Sequence, residues 1–272
     1  MMRDTVCLLA ATLLPLPVVA QGAMIAPHIV VIDDRGRSSA VTLYNPGVGP
    51  IEVDVRMIFG IAVTDSAGEF LIQYSADSSE RSAAPWLAAY PRRFTLAAQS
   101  RQTVRILARP PQDLADGEYW ARLTVTTHDG SAPVHLADTA GIHVGVGLEV
   151  RTILPVYFRK GPMSTGLTIF APRVRRESDS LAIRLPMQRT GTAAYLGHVG
   201  VELVNAAGVV VRHGDFAIAV FGDANPRMIL PVRGLAAGSY RLRLEARTER
   251  AGVAAGTLVT APPIRAEFAV IL

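Results

Sequence analysis

The chain has 272 residues, with 27 Lys and Arg against 23 Asp and Glu, for a formal net charge of +4 at neutral pH. Half of its residues are apolar, but they fall into short alternating runs, none of which is long enough to cross a bilayer. The arginines are dispersed, which excludes the concentrated basic face that nucleic-acid binding needs, and the single cysteine, Cys7, permits no disulfide framework.

Residues 1–20 read as an export signal. Arg3 stands near the start, an apolar run extends from Cys7 to Ala20, and Val18-Val19-Ala20 forms a small-residue cleavage site before Gln21. The run is too short for a membrane span, so the mature chain is expected to be soluble and exported, and Cys7 leaves with the signal.

After the signal, period-two alternation recurs between Gly, Pro, Asn and Asp punctuation, and no long amphipathic helix is present. The predicted strands are Ile25–Asp33, Ala40–Asn45, Ile51–Phe59, Glu69–Tyr74, Arg92–Ala97, Thr103–Arg109, Glu118–Thr126 and a long Ile142–Phe158. That count suits one immunoglobulin-like sandwich over residues 21–160. Arg159-Lys160-Gly161-Pro162 breaks the pattern and is the expected hinge. A second sandwich over residues 161–272 follows from Leu167–Ala171, Leu181–Gln188, Gly197–Asn205, Val209–His213, Phe216–Phe221, Arg227–Val232, Ser239–Arg247 and Ile264–Ile271. The expected fold is all-β, two immunoglobulin-like β-sandwich domains in tandem. The Ser- and Ala-rich stretch between Tyr74 and Pro91 reads as a surface excursion pinned by Trp86, and Thr127–Thr139 as a loop leading into the long strand.

That long strand is the most informative segment. Ile142, Val144, Val146, Leu148, Val150, Leu154, Val156 and Phe158 share one face, interrupted only by Thr152. At about 3.3 Å per residue it would run roughly 50 Å, against about 20 Å for an ordinary strand. Its first half alternates these with His143, Gly145, Gly147, Glu149 and Arg151, a face suited to water. It therefore reads as an overhanging apolar edge. Pro155 has no N–H and argues for an edge position. Such an edge invites aggregation unless it is used, and the use it fits is β-augmentation of a partner's sheet. The alternative is an ordinary sandwich strand preceded by a loop.

Catalytic chemistry finds no support. His28, His128, His135, His143, His198 and His213 lack ligand spacing. There is no nucleophile elbow and no phosphate-cradling glycine loop. Asp33 and Asp34 are adjacent and on a strand point to opposite faces. No catalytic residue, metal site or cofactor is predicted, and the chain reads as a non-enzyme.

A series of local motifs, taken in order, resembles the PapD-like periplasmic chaperones of pilus and fimbria assembly. It comprises Ala40-Val41-Thr42-Leu43-Tyr44-Asn45-Pro46, Pro85-Trp86-Leu87, Pro91-Arg92-Arg93-Phe94-Thr95-Leu96, Gln102-Thr103-Val104-Arg105-Ile106, Gly117-Glu118-Tyr119-Trp120-Ala121-Arg122-Leu123 and Pro155-Val156-Tyr157-Phe158-Arg159. The likeness covers about 130 residues of the first half and is loose in the second. It implies a periplasmic chaperone that caps exported pilus or fimbrial subunits by lending an edge strand, with an outer-membrane usher as a further partner. The implied donor positions are Val146, Leu148 and Val150, with Val144 next outward; Ile142 continues the same face of the strand by its spacing. The family binds its client's terminal carboxylate with a lysine and an arginine, whose places here fall on Pro155 and about Ile29. His28 and Arg151 are the nearby candidates for that role; the alternative makes them a water-facing strand residue and a solvated edge charge. A second functional reading is a structural or adhesive surface protein built from the same two sandwiches.

Overall fold

A computed structural model describes residues 22–74, 81–129, 148–250, 252–254 and 256–272. The predicted signal and the Ile142, Val144 and Val146 part of the long strand lie outside these residues. The first half holds β1 (Met24–Ala26), β2 (Val30–Asp33), β3 (Ser38–Tyr44), β4 (Ile51–Ile58), β5 (Gly60–Thr64), β6 (Phe70–Tyr74), β7 (Leu87–Tyr90), β8 (Arg93–Leu96), β9 (Arg101–Ala108), β10 (Gly117–Asp129) and β11 (Glu149–Lys160). The second holds β12 (Thr165–Ile169), β13 (Arg173–Glu177), β14 (Ser180–Arg184), β15 (Met187–Gly191), β16 (Tyr195–Val204), β17 (Val210–Val220), β18 (Asp223–Ala224), β19 (Arg227–Pro231), β20 (Ser239–Arg247) and β21 (Ile264–Ile271). No helix among the described residues is long and apolar enough to cross a membrane.

Two sheets enclose the first core, ordered β1-β3-β9-β7 and β2-β11-β10-β4-β8. Their alternate residues meet between them: Val41 and Leu43 from β3, Val104 and Ile106 from β9, Leu123 and Val125 from β10, and Leu154, Val156 and Phe158 from β11. Trp86 closes this core edge-to-face on Phe158, with ring centroids 4.8 Å apart, so the excursion is pinned as its aromatic residue predicts. The second core lies among β12-β15-β18, β13-β14-β19 and β17-β16-β20-β21 and gathers Leu181, Ile183, Tyr195, Val201, Leu203, Ile218 and Leu242.

Several strand expectations require correction. Ile25–Asp33 is two strands in two sheets, β1 pairing with β3 and β2 with β11; Pro27 cannot donate to a ladder and the chain changes sheet there. Leu181–Gln188 is likewise split, at Pro186, into β14 and β15 of different sheets. The opposite error occurs at Val209–Phe221, which is the single strand β17. Gly214 does not break it: a Cβ there would lie 3.0 Å from the Phe216 ring and 3.1 Å from Leu230, so glycine accommodates a close approach. Gly60–Thr64, Leu87–Tyr90 and Arg173–Glu177 are strands that alternation alone did not reveal.

A third cluster joins the two halves. Trp120 and Tyr157 from the sheet β2-β11-β10-β4-β8 pack with Ala194, Leu196 and Phe221 from the second half, and Phe59 and Ala62 complete the contact. The hairpin β5–β6 reaches the same neighbour: Arg227 N–H donates to Gly68 O at 2.9 Å and Asn225 N–H to Thr64 Oγ1 at 2.8 Å.

Candidate functional site

The candidate site is the free flank of β11. Twelve consecutive residues, Glu149 to Lys160, pair antiparallel with β10 in one unbroken register. On the other flank β2 runs parallel only from Val30 opposite Val156 to Asp33 opposite Arg159. Among the described residues, nothing pairs with the flank of Glu149–Pro155.

The direction of the backbone groups follows from β10. Glu118 N–H donates to Thr192 O and Trp120 N–H to Arg81 O, both away from β11. Their partners Arg159 and Tyr157 therefore also turn away from β10, and Arg159 O duly accepts Asp34 N–H at 2.9 Å. With the alternation of an antiparallel ladder, every odd residue of β11 aims its N–H and C=O at the outer flank. Glu149, Arg151 and Ile153 thus offer unpaired groups to a further strand. Pro155 falls on the same flank, and its missing N–H coincides with the point where pairing to β2 ends.

Side chains obey the same parity. Leu154, Val156 and Phe158 fill the first core, and the row continues outward through Thr152 and Val150, both half-buried, to Leu148, which is 49 % exposed. Val150 is touched from one side by the chain at Gly22. Leu148 and Val150 therefore extend a core-facing row beyond its core.

The odd side chains of β11 face a groove of about 840 Å³ on the opposite face of the sheet, lined by Asp54, Arg56, Tyr74, Thr124, Arg151 and Ile153 among others. Arg56 and Arg93 each reach Asp54 at 2.7 Å, and these bonds, that of Arg56 foremost, hold its carboxyl below the usual range. Arg151 pairs with Glu149 at 3.0 Å. His28 is exposed in the crossover between β1 and β2 and has no bond to Arg151 among the described residues.

Arg122 is a different case. It lies opposite Pro155 in the β10–β11 register and opposite Ile58 in the β10–β4 register, about 13 Å along the sheet from Arg151 at 3.3 Å per residue. It is only 8 % exposed, its Nε donates to Gly60 O at 3.0 Å, its guanidinium lies over the Phe221 ring, and burial pulls its pKa down. Among the described residues no carboxylate meets it. Next on the same face, Thr124 Oγ1 is buried without a hydrogen-bond partner. The sequence held one clue to Arg122: it shares parity with Trp120, a residue whose bulk demands cover.

No family model and no curated protein matches the sequence. Solved structures to which the fold is similar include the YadV chaperone, at 16 % identity and a TM-score of 0.47 over 90 % of this chain and 99 % of that one. A chain of the CsuC–CsuE chaperone-tip adhesion subunit pre-assembly complex of Acinetobacter baumannii is 13 % identical, with a TM-score of 0.47 over 90 % and 97 % of the two chains. The E. coli chaperone DraB is 12 % identical, with a TM-score of 0.43 over 93 % and 97 %.

Proposed function

We propose that this protein is a periplasmic assembly chaperone for exported pilus or fimbrial subunits, holding each client by adding β11 to the client's sheet. The observation that supports this reading is the flank of Glu149–Pro155, whose backbone groups lack partners among the described residues while Leu148 stands half out of the core row. A client lacking a strand would pair with Glu149, Arg151 and Ile153 and take Leu148 and Val150 into its own core. Full burial of an aliphatic side chain of this size contributes roughly 1.5–3 kcal/mol, which a row of such side chains extends and association entropy reduces. Exchange of the client to a later partner stays accessible. Where the PapD-like pattern has basic residues and this chain has Ile29 and Pro155, Arg122 supplies a cation opposite Pro155 that no carboxylate of the described residues pairs.

The test is Leu148→Asp. Co-purification from periplasm with wild type should yield a small β-protein that protects the amides of Glu149, Arg151 and Ile153 from hydrogen exchange. The variant should capture none while melting as wild type does. Unfolding of the variant would make Leu148 core and end the reading.

A further inference from the structure

The outer face of the sheet β13-β14-β19 carries a row of like charges. Arg173 lies opposite Arg184, and Arg184 opposite Arg227, an arrangement that repels itself unless opposite charge lies over it. Parity fixes the face, because Val174, Ile183 and Met228, next along each strand, pack with the second core. Arg184 donates to Asn225 O at 3.2 Å and to Ser66 O, and Arg227 to Glu177 Oε2 at 2.5 Å. Arg173 and Arg175, on that same face, are exposed and have no hydrogen-bond or ion-pair partner among the described residues. Protection of edge strands accounts for charge on β13 and β19, but not for Arg184 between them on the central strand β14.

Between these arginines and the tip of the β5–β6 hairpin opens a cleft of about 450 Å³, walled by Ala67 and Glu69, with Ala182 opposite Arg175. We propose that this cleft binds a phosphate group. Arg173, Arg175, Arg184 and Arg227 against Glu69 and Glu177 leave a lining of net charge +2 (four less two), which matches the charge of about −1.5 to −2 on a phosphate monoester at neutral pH. Guanidinium forks present paired donors to such an oxyanion, and the two alanines leave room for it. The glutamates on the rim disfavour a long polyanion laid across the face. Because the walls come from both halves of the chain, a bound phosphate also fastens the hairpin to the second core.

Titration calorimetry with inorganic phosphate at low salt tests this. Wild type should bind one phosphate saturably, with a rise in melting temperature. Arg173→Gln/Arg175→Gln should bind about tenfold more weakly or not at all, and Arg105→Gln/Arg109→Gln, which removes equal charge from exposed positions of the first half, should bind as wild type does. Absence of saturable binding, or equal loss in the two double variants, overturns the proposal. Co-sedimentation with vesicles containing phosphatidic acid, whose headgroup is a phosphate monoester, identifies the source: sedimentation that phosphate competes away and the Arg173/Arg175 variant lacks assigns a lipid headgroup, whereas phosphate binding without sedimentation assigns a free phosphate.

Discussion

The carboxylate of Glu118 meets the guanidinium of Arg159 at 2.9 Å, with side chains 1 % and 10 % exposed. Glu118 also accepts Trp120 Nε1–H at 2.9 Å and Ala194 N–H at 3.2 Å, and Arg159 Nη2 donates to Thr257 O at 2.8 Å. The pair therefore ties β10 and β11 of the first sandwich to two segments of the second half. It sits at the end of β11 away from the free flank, where β2 also pairs, and so anchors that end of the strand.

Removing one partner of a buried pair strands the other charge. Glu118→Ala and Arg159→Met are each expected to lower stability by roughly 3–5 kcal/mol. The double variant should lose much less than the sum, since neither charge is then left alone. Urea unfolding of the four proteins measures the cycle; simple additivity would show that the two groups do not interact.

Two buried tyrosines set the alkaline limit. Burial pushes the phenols of Tyr157 and Tyr195 up from 10.0 to about 12. A raised folded-state value means that the stabilisation is complete below pH 10, where the unfolded chain still carries neutral tyrosine, and is lost as pH rises toward 12. Each tyrosine should contribute a fall of about 2–3 kcal/mol over that window. Tyr195 Oη has no hydrogen-bond partner among the described residues, so Tyr195→Phe should leave stability at pH 7 unchanged or raised by about 1 kcal/mol while removing its share of the alkaline loss. Denaturant melts at pH 7, 10 and 11.5 check both statements.

Gly68 is where the hairpin tip touches the second half. Its φ is +83°, and an added Cβ would overlap Arg184 and come 2.7 Å from the Arg227 backbone nitrogen. Gly68→Val is therefore both strained and obstructed. The expected result is a loss of about 1–3 kcal/mol, with faster hydrogen exchange at Arg227 N–H and Asn225 N–H, whose acceptors are in the hairpin. Unchanged exchange at both would mean that the tip is not docked.

What was legible in the sequence was whatever period-two alternation records. Ser239–Arg247 and Ile264–Ile271 were readable to the residue because one face is core and the other water. Prolines concealed sheet changes: Pro27 and Pro186 sit inside apolar runs that look continuous yet serve two sheets. Arg173–Glu177 does not alternate, since arginines occupy both faces of an edge. The site was legible in part. The row through Leu148 and Val150 follows from spacing, but the free flank depends on how far β2 extends, a pairing no local pattern encodes. Arg122 can be named from the sequence as a cleft residue, but that no carboxylate of the described residues meets it is set by the fold and by no local pattern.

The parity of β11 gives the sharpest test of the free flank. Arg151 N–H points outward, whereas Thr152 N–H faces β10, opposite Val125. Proline removes a donor in either case. At 152 it breaks a ladder bond and leaves a buried carbonyl unpaired, for a loss of about 1–3 kcal/mol. At 151 it removes a group with no partner among the described residues, together with an exposed ion pair to Glu149 worth about 0–1 kcal/mol; Pro155 already occupies this strand with the same orientation. Arg151→Pro should therefore keep nearly wild-type stability and lose client capture, and Thr152→Pro should be the destabilised one. Equal destabilisation of the two, measured by thermal melting, would mean that a further strand already covers the outer flank and that no edge is available to lend.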